Sequence, residues 1–219
     1  MTITNYKNRL YGRTRGRSHK KINIEEYYKL LNKYEISKLK NNISYILDIG
    51  SGYGETSIYL SNKYPVSRIL ACEKYINGNI NLCKEIHNKN IDNIYIHPGN
   101  VYEILDNNLK FEYFNLVWIF FPDPWPKKKH FKRRLISEQF LVTIYPYIKN
   151  KGKICIITDS TSYSRSIIKN IYLTKNIFKW KNQNLPYLDL KDYYNIETKF
   201  YKKAIISGRK PSLFILEKI

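Results

Sequence analysis

The chain has 219 residues, 43% of them hydrophobic, enough for the core of one ordinary α/β domain and too little for two full ones. Lys and Arg total 38 against 18 for Asp and Glu, and a net charge of +20 exceeds what solubility asks of a domain this size, so a polyanionic partner is expected. Three cysteines with no Cys-x-x-Cys spacing argue against a disulfide framework and a cysteine zinc site, and the longest apolar run, residues 116–121, stops at Pro122, too short for a membrane span.

In chain order, residues 1–21 carry Lys7, Arg9, Arg13, Arg15, Arg17, Lys20 and Lys21 among few large apolar side chains and read as a mobile basic arm. An AT-rich coding bias accounts for part of the lysine excess, but such a bias does not favour clustered arginine. One domain, residues 22–219, is expected to follow the arm. It opens with a short helix over residues 25–34. Tyr45-Ile-Leu-Asp-Ile49 then has the continuous apolar character of a buried strand.

Beyond that strand, helix-length amphipathic runs at 56–63, 76–89, 102–109, 133–148 and 162–172 alternate with strand-like runs at 68–73, 94–97, 114–120 and 153–158. Such alternation predicts an α/β fold, a parallel sheet with helices on both faces. The tail departs from it, with an apolar run at 178–180, a polar segment at 198–209 and a last strand at 212–217.

The turn from the first strand into the first helix reads Asp48-Ile49-Gly50-Ser51-Gly52-Tyr53-Gly54-Glu55. Glycines there let backbone approach a ligand closely, although any tight strand-to-helix turn uses the same residues. A dinucleotide loop wants glycine or alanine where Glu55 stands, because a carboxylate beside a pyrophosphate is electrostatically wrong. S-Adenosylmethionine carries no phosphate and brings a sulfonium and an ammonium, so Asp48 and Glu55 are compatible with it. Glu73, at the end of the second strand, is suited to accepting both ribose hydroxyls. Asn100, after the third, is suited to the adenine edge.

After the fourth strand comes Phe120-Phe121-Pro122-Asp123-Pro124-Trp125-Pro126-Lys127, a stiff loop at the carboxyl edge of the sheet. A rigid turn with a packed tryptophan is the plain reading. In this position, however, a carboxylate can hold a base by its amino hydrogens while an aromatic ring stacks on it. Residues 127–134 then hold Lys127, Lys128, Lys129, Lys132, Arg133 and Arg134, a density that makes sense if phosphates neutralise it. Asp159, at the end of the fifth strand, is either a second carboxylate on that edge or part of a helix cap, and both roles are compatible.

Four blocks, Tyr11-Gly12-Arg13 to Arg17, Asp48 to Gly54, Phe121 to Lys128 with Arg133-Arg134, and Thr198-Lys199-Phe200, closely resemble the bacterial tRNA (guanine-N7)-methyltransferase family. The resemblance implies a Rossmann-like class I methyltransferase fold, with a mostly parallel seven-stranded sheet and an antiparallel last strand. It implies methylation of a guanine in the variable loop of tRNA. Carried over by position, cofactor contacts fall on Asp48, Glu73, Asn100 and Asp123, beside the loop glycines Gly50 and Gly52, which let backbone approach the cofactor. Substrate contacts carried over in the same way fall on Lys127, Asp159, Thr198, Lys199, Phe200 and Tyr201; Arg13 and Arg133 join them on their charge, and Asp123 and Asp159 are expected to act on the purine.

The chain departs from the family at Asp48 (usually Glu), Asn100 (usually Asp) and Tyr201 (usually Glu), the last removing a carboxylate from the expected base contact. A cytoplasmic monomer or loose homodimer with no metal, no membrane attachment and no obligate protein partner is expected. Two other readings stay open: a methyltransferase acting on an exocyclic base amine, and an RNA-binding relative without activity. The amine enzymes set two prolines together before the aromatic, whereas Pro122 and Pro124 here flank Asp123 singly.

Overall fold

The computed structural model describes residues 24–36, 38–107, 111–184 and 193–219. The arm, Arg13 included, lies outside the described residues.

Seven strands form one sheet: β1 (Tyr45–Ile49), β2 (Arg68–Cys72), β3 (Ile94–His97), β4 (Phe114–Phe120), β5 (Ile148–Thr158), β6 (Phe178–Trp180) and β7 (Ser212–Lys218). Their spatial order is β3-β2-β1-β4-β5-β7-β6. β1 through β5 pair in parallel, and β7 runs antiparallel between β5 and β6. The expected topology is therefore present, with the short β6 as the outer edge.

All five residues of β1 are buried because both faces and both edges of this strand are covered. Tyr45, Leu47 and Ile49 turn to one face and Ile46 to the other, so each face gathers its own core. Leu47, Val117, Ile119 and Ile156 pack with α4 (Val101–Asn107), α5 (Glu138–Ile144) and α6 (Thr161–Leu173). Ile46, Ile69, Trp118 and Ile157 pack with residues of α1 (Ile24–Leu31), α2 (Glu55–Lys63), α3 (Ile76–Asn88) and α7 (Lys199–Ile206).

One expectation needs correction. The run at 133–148 is not one helix: a 3-10 turn covers Lys128–Arg133, α5 starts at Glu138, and a second 3-10 turn covers Tyr145–Tyr147. Ser137 is extended and its hydroxyl accepts the Phe140 N–H, which starts a new helix there, and Pro146 ends it. The polar segment at 198–209 holds α7, capped by the Thr198 hydroxyl on the Tyr201 N–H.

Candidate functional site

The strand order reverses between β1 and β4, and in open α/β sheets the crevice beyond the strand ends at such a point receives ligands. A cavity of about 1240 Å³ opens there, bounded by the loop after β1, the end of β2, the loop after β4 and the start of α7.

At one end stands the glycine loop. Gly50 and Gly52 have φ of 77° and 56°, the left-handed region that suits glycine, and a Cβ built on Gly50 would meet nothing within 4 Å. The Glu73 carboxylate is held by backbone: Oε2 accepts the Gly52 N–H at 3.0 Å and Oε1 the Tyr75 N–H at 2.8 Å. Both oxygens are thereby oriented while each keeps a lone pair. The Ser51 hydroxyl, buried against the cavity, has no protein partner among the described residues. A feature not read from the sequence is Gly78 in the first turn of α3, where an added Cβ would lie 2.1 Å from the Gly52 carbonyl oxygen. Helix and loop touch through backbone, and a glycine near a helix start was the available signal.

Two expected cofactor residues make hydrogen bonds within the frame. Asp48 is fully buried behind the loop, where its Oδ2 accepts hydrogen bonds from Thr56 at 2.6 Å and Ser57 at 2.7 Å, tying β1 to α2. Burial pushes its carboxyl up to about 6, against the downward pull of those hydroxyls. The Asn100 Oδ1 accepts the Tyr102 N–H at 3.0 Å and so caps α4. Neither side chain borders the cavity, although their neighbours Ile49, Gly99 and Val101 do.

The other end is built from three distant segments. In the loop after β4, Phe121 and Trp125 have φ of 49° and 42°, costly for bulky residues and a mark of a conformation imposed by its surroundings. Phe121, Asp123 and Trp125 border the cavity. Arg133 does too, its guanidinium 5.0 Å from the Trp125 ring centre.

Arg134 does something else. It is only 6% exposed; its Nε donates to the Pro124 carbonyl at 2.9 Å, and its terminal nitrogens donate to the Ser162 carbonyl and hydroxyl at 3.1 and 2.9 Å. The second arginine of the pair thus ties the loop to α6, and nothing in the dipeptide told the two apart. Lys127 is exposed, precedes the 3-10 turn and lies off the cavity wall.

Thr198, Lys199 and Phe200 border the cavity from the start of α7. The Lys199 N–H donates to Glu55 at 3.0 Å, so the residue that spoke against a pyrophosphate also tethers this helix to the glycine loop. Tyr201 is 5% exposed and belongs to the core, not to the cavity wall. Asp159 follows β5 off that wall, and its Oδ2 accepts Arg209 Nε at 2.7 Å, a partner that sequence spacing gave no hint of.

Residues 42–212 match the family model described as "Putative methyltransferase". The tRNA (guanine-N(7)-)-methyltransferase of Buchnera aphidicola subsp. Schizaphis graminum is 34% identical over 174 residues, 80% of this chain and 72% of that protein. Its counterpart in Buchnera aphidicola subsp. Baizongia pistaciae is 33% identical over 170 residues, 78% of this chain and 69% of that protein. The chain belongs to the tRNA (guanine-N7)-methyltransferase family.

Within the reach of this methyltransferase family's sequence, a "Bifunctional methyltransferase" of Rickettsia felis is 33% identical over 215 residues, 97% of this chain and 40% of that protein. Among solved structures, an rRNA methylase from Streptococcus thermophilus superimposes with a TM-score of 0.54 at 12% identity, covering 92% of this chain and 99% of that one, which shows a shared fold. S-Adenosylmethionine is the cofactor of this methyltransferase, and the donor set fits it. Gly50 leaves open space, the Glu73 oxygens face outward from two backbone amides, and Ser51 offers an unused hydroxyl.

Proposed function

We propose that this chain transfers a methyl group from S-adenosylmethionine to N7 of a guanine in the variable loop of tRNA. The observation that carries the reading is one cavity bounded at one end by the glycine loop and Glu73 and at the other by Asp123, Trp125, Arg133 and the Thr198 to Phe200 turn. A donor and a base held there sit in one enclosure, where proximity and orientation alone contribute up to about 7 to 11 kcal/mol in favourable cases.

When bound, the cofactor supplies a methyl group on a positively charged sulfur. Guanine N7 has a lone pair and no hydrogen, so the protein needs no general base. Its task is to orient the purine and to meet the positive charge that the purine gains, which favours carboxylates beside the ring. Asp123, on the cavity wall, is our first choice for that role and for the N1 and N2 hydrogens of guanine, which adenine does not match. Asp159 is assigned the supporting carboxylate, reached once its bond to Arg209 shifts. Gly50, Gly52 and Glu73 are assigned to the cofactor, with Asp48 and Asn100 holding the loops that present it.

Lys127, Arg133 and the neighbouring lysines are assigned to tRNA phosphates, consistent with the exposure of the lysines, with the half-buried Arg133 at the cavity wall and with the net charge of +20. Arg13 and the arm of residues 1–21 are assigned to the same partner on their charge alone. Three buried free cysteines agree with a reducing, cytoplasmic setting. Among the described residues no helix is long and apolar enough to cross a membrane.

The test is transfer of labelled methyl to unmodified tRNA, followed by borohydride and aniline treatment, which cleaves the chain at N7-methylguanine. Cleavage at one variable-loop guanine is expected. Incorporation without cleavage would move the assignment to an exocyclic amine, and tRNA binding without incorporation would leave an RNA-binding relative.

A further inference from the structure

A run of aromatic rings leads from the core to the cavity. Trp118, fully buried, lies parallel to Phe120 at 5.5 Å and 8°. Phe120 meets Phe121 edge to face at 5.2 Å, and Phe121 lies nearly parallel to Phe200 at 6.4 Å and 24°. The series ends at Phe200, which is 60% exposed although it borders the cavity. Water is a poor neighbour for a phenyl ring, and α7 could have turned a polar residue there.

The backbone is shaped to make this series. Phe121 has φ of 49°, an unfavourable state for an aromatic residue, and its N–H is fixed on the Ile157 carbonyl at 2.8 Å. On the other side, the Thr198 cap and the Lys199 to Glu55 hydrogen bond fix the first turn of α7, so Phe200 is carried on a rigid element. Trp125, the ring that sequence reasoning favours for stacking, already carries the Arg133 guanidinium at 5.0 Å and the His130 ring edge-on at 5.7 Å.

We infer that Phe200, backed by Phe121, is the platform on which the target guanine stacks, rather than Trp125. The inference rests on the tRNA guanine reading above and names the surface that holds the base. Two features select a purine in a polyanion over a protein side chain: Lys199 and Lys203 line the same cavity as the ring, and Asp123, also on its wall, is an acceptor for base amino hydrogens. N7 methylation leaves the purine positively charged, and a phenyl face is electrostatically favourable to a cationic ring. The platform therefore holds the charged product ring more strongly than the neutral guanine.

The experiment uses the full chain, unmodified tRNA and tRNA carrying 2-aminopurine at the target position. F200A should slow single-turnover methylation about 5- to 150-fold, the range for loss of one base–aromatic stack. The affinity for S-adenosylhomocysteine should stay unchanged, and the quenching of aminopurine fluorescence expected with the unaltered protein should be lost. F200W should restore both rate and quenching. F121G, which relieves the backbone while deleting the backing ring, should show a smaller loss in the same direction. If F200A methylates at the original rate, or if F200W fails to restore what F200A loses, the platform is wrong. If the unaltered protein gives no aniline-sensitive product, the functional reading fails instead, and the two failures are distinct.

Discussion

The two ends of the cavity are built in different ways. At the cofactor end, the chemistry comes largely from backbone: glycines in one loop, and a carboxylate whose two oxygens are each held by a main-chain N–H. At the base end, it comes from side chains joined across the chain, with Arg134 reaching to Pro124 and Ser162, Glu55 to Lys199 and Arg209 to Asp159. The contrast teaches that a cofactor site of this kind tolerates side-chain drift as long as the backbone trace survives. The base site depends on a few long-range tethers, each of which a single substitution can cut.

If that contrast holds, substitutions at the two ends should separate. The largest effect on cofactor binding is expected from Gly78→Ala, because the new methyl would stand 2.1 Å from a backbone oxygen that has no side-chain freedom to yield. Overpacking of this kind costs about 1 to 3 kcal/mol, so titration calorimetry should show S-adenosylhomocysteine binding weakened by up to about 150-fold while tRNA binding in a filter assay is kept. Equal loss of both would mean that the ends are not separable.

Next comes the titration of Asp48. Its folded carboxyl is raised to about 6 by burial, from 3.8, so the folded chain holds the proton more tightly than the unfolded one. The stability this contributes is fully present below about pH 4 and is lost as pH rises through about 6, a change on the order of 3 kcal/mol. Asp48→Asn has no such titration, and urea midpoints measured at pH 4.5 and 7.5 should differ less for it than for the original chain.

Arg134→Ala should lower stability by about 2 to 3 kcal/mol, as for a buried charged donor whose acceptors lose their partner. It should reduce methyl transfer with cofactor affinity intact, since its bonds end on the loop after β4 and on α6. Weakened cofactor binding in that variant would break the proposed division. The smallest effect is expected from Arg209→Ala: the pair with Asp159 is partly exposed and contributes about 0.2 to 1 kcal/mol to stability. Its removal should raise the transfer rate at saturating tRNA if Arg209 competes with the base for Asp159, and lower it if Arg209 holds that carboxylate in place. No change in rate would count against a role for Asp159 in the reaction.

Several parts of this molecule were legible in the residues alone. The strand at Tyr45–Ile49 and the glycine turn could be read because each rests on a local rule: burial on both faces demands an unbroken apolar run, and a left-handed turn demands glycine. The loop from Phe121 to Lys127 could be located at the sheet edge for the same reason, since it follows an apolar strand and is stiffened by its own prolines. What only tertiary structure decided were the choices among chemically equal residues. Arg133 faces the cavity while Arg134 is buried, Tyr201 fills the core while Phe200 meets the cavity, and Asp48 holds a helix while Asp123 faces the site. Those outcomes follow from which partner lies across the fold, and a contact between residues 50 or 144 positions apart leaves no period or spacing in the sequence to read.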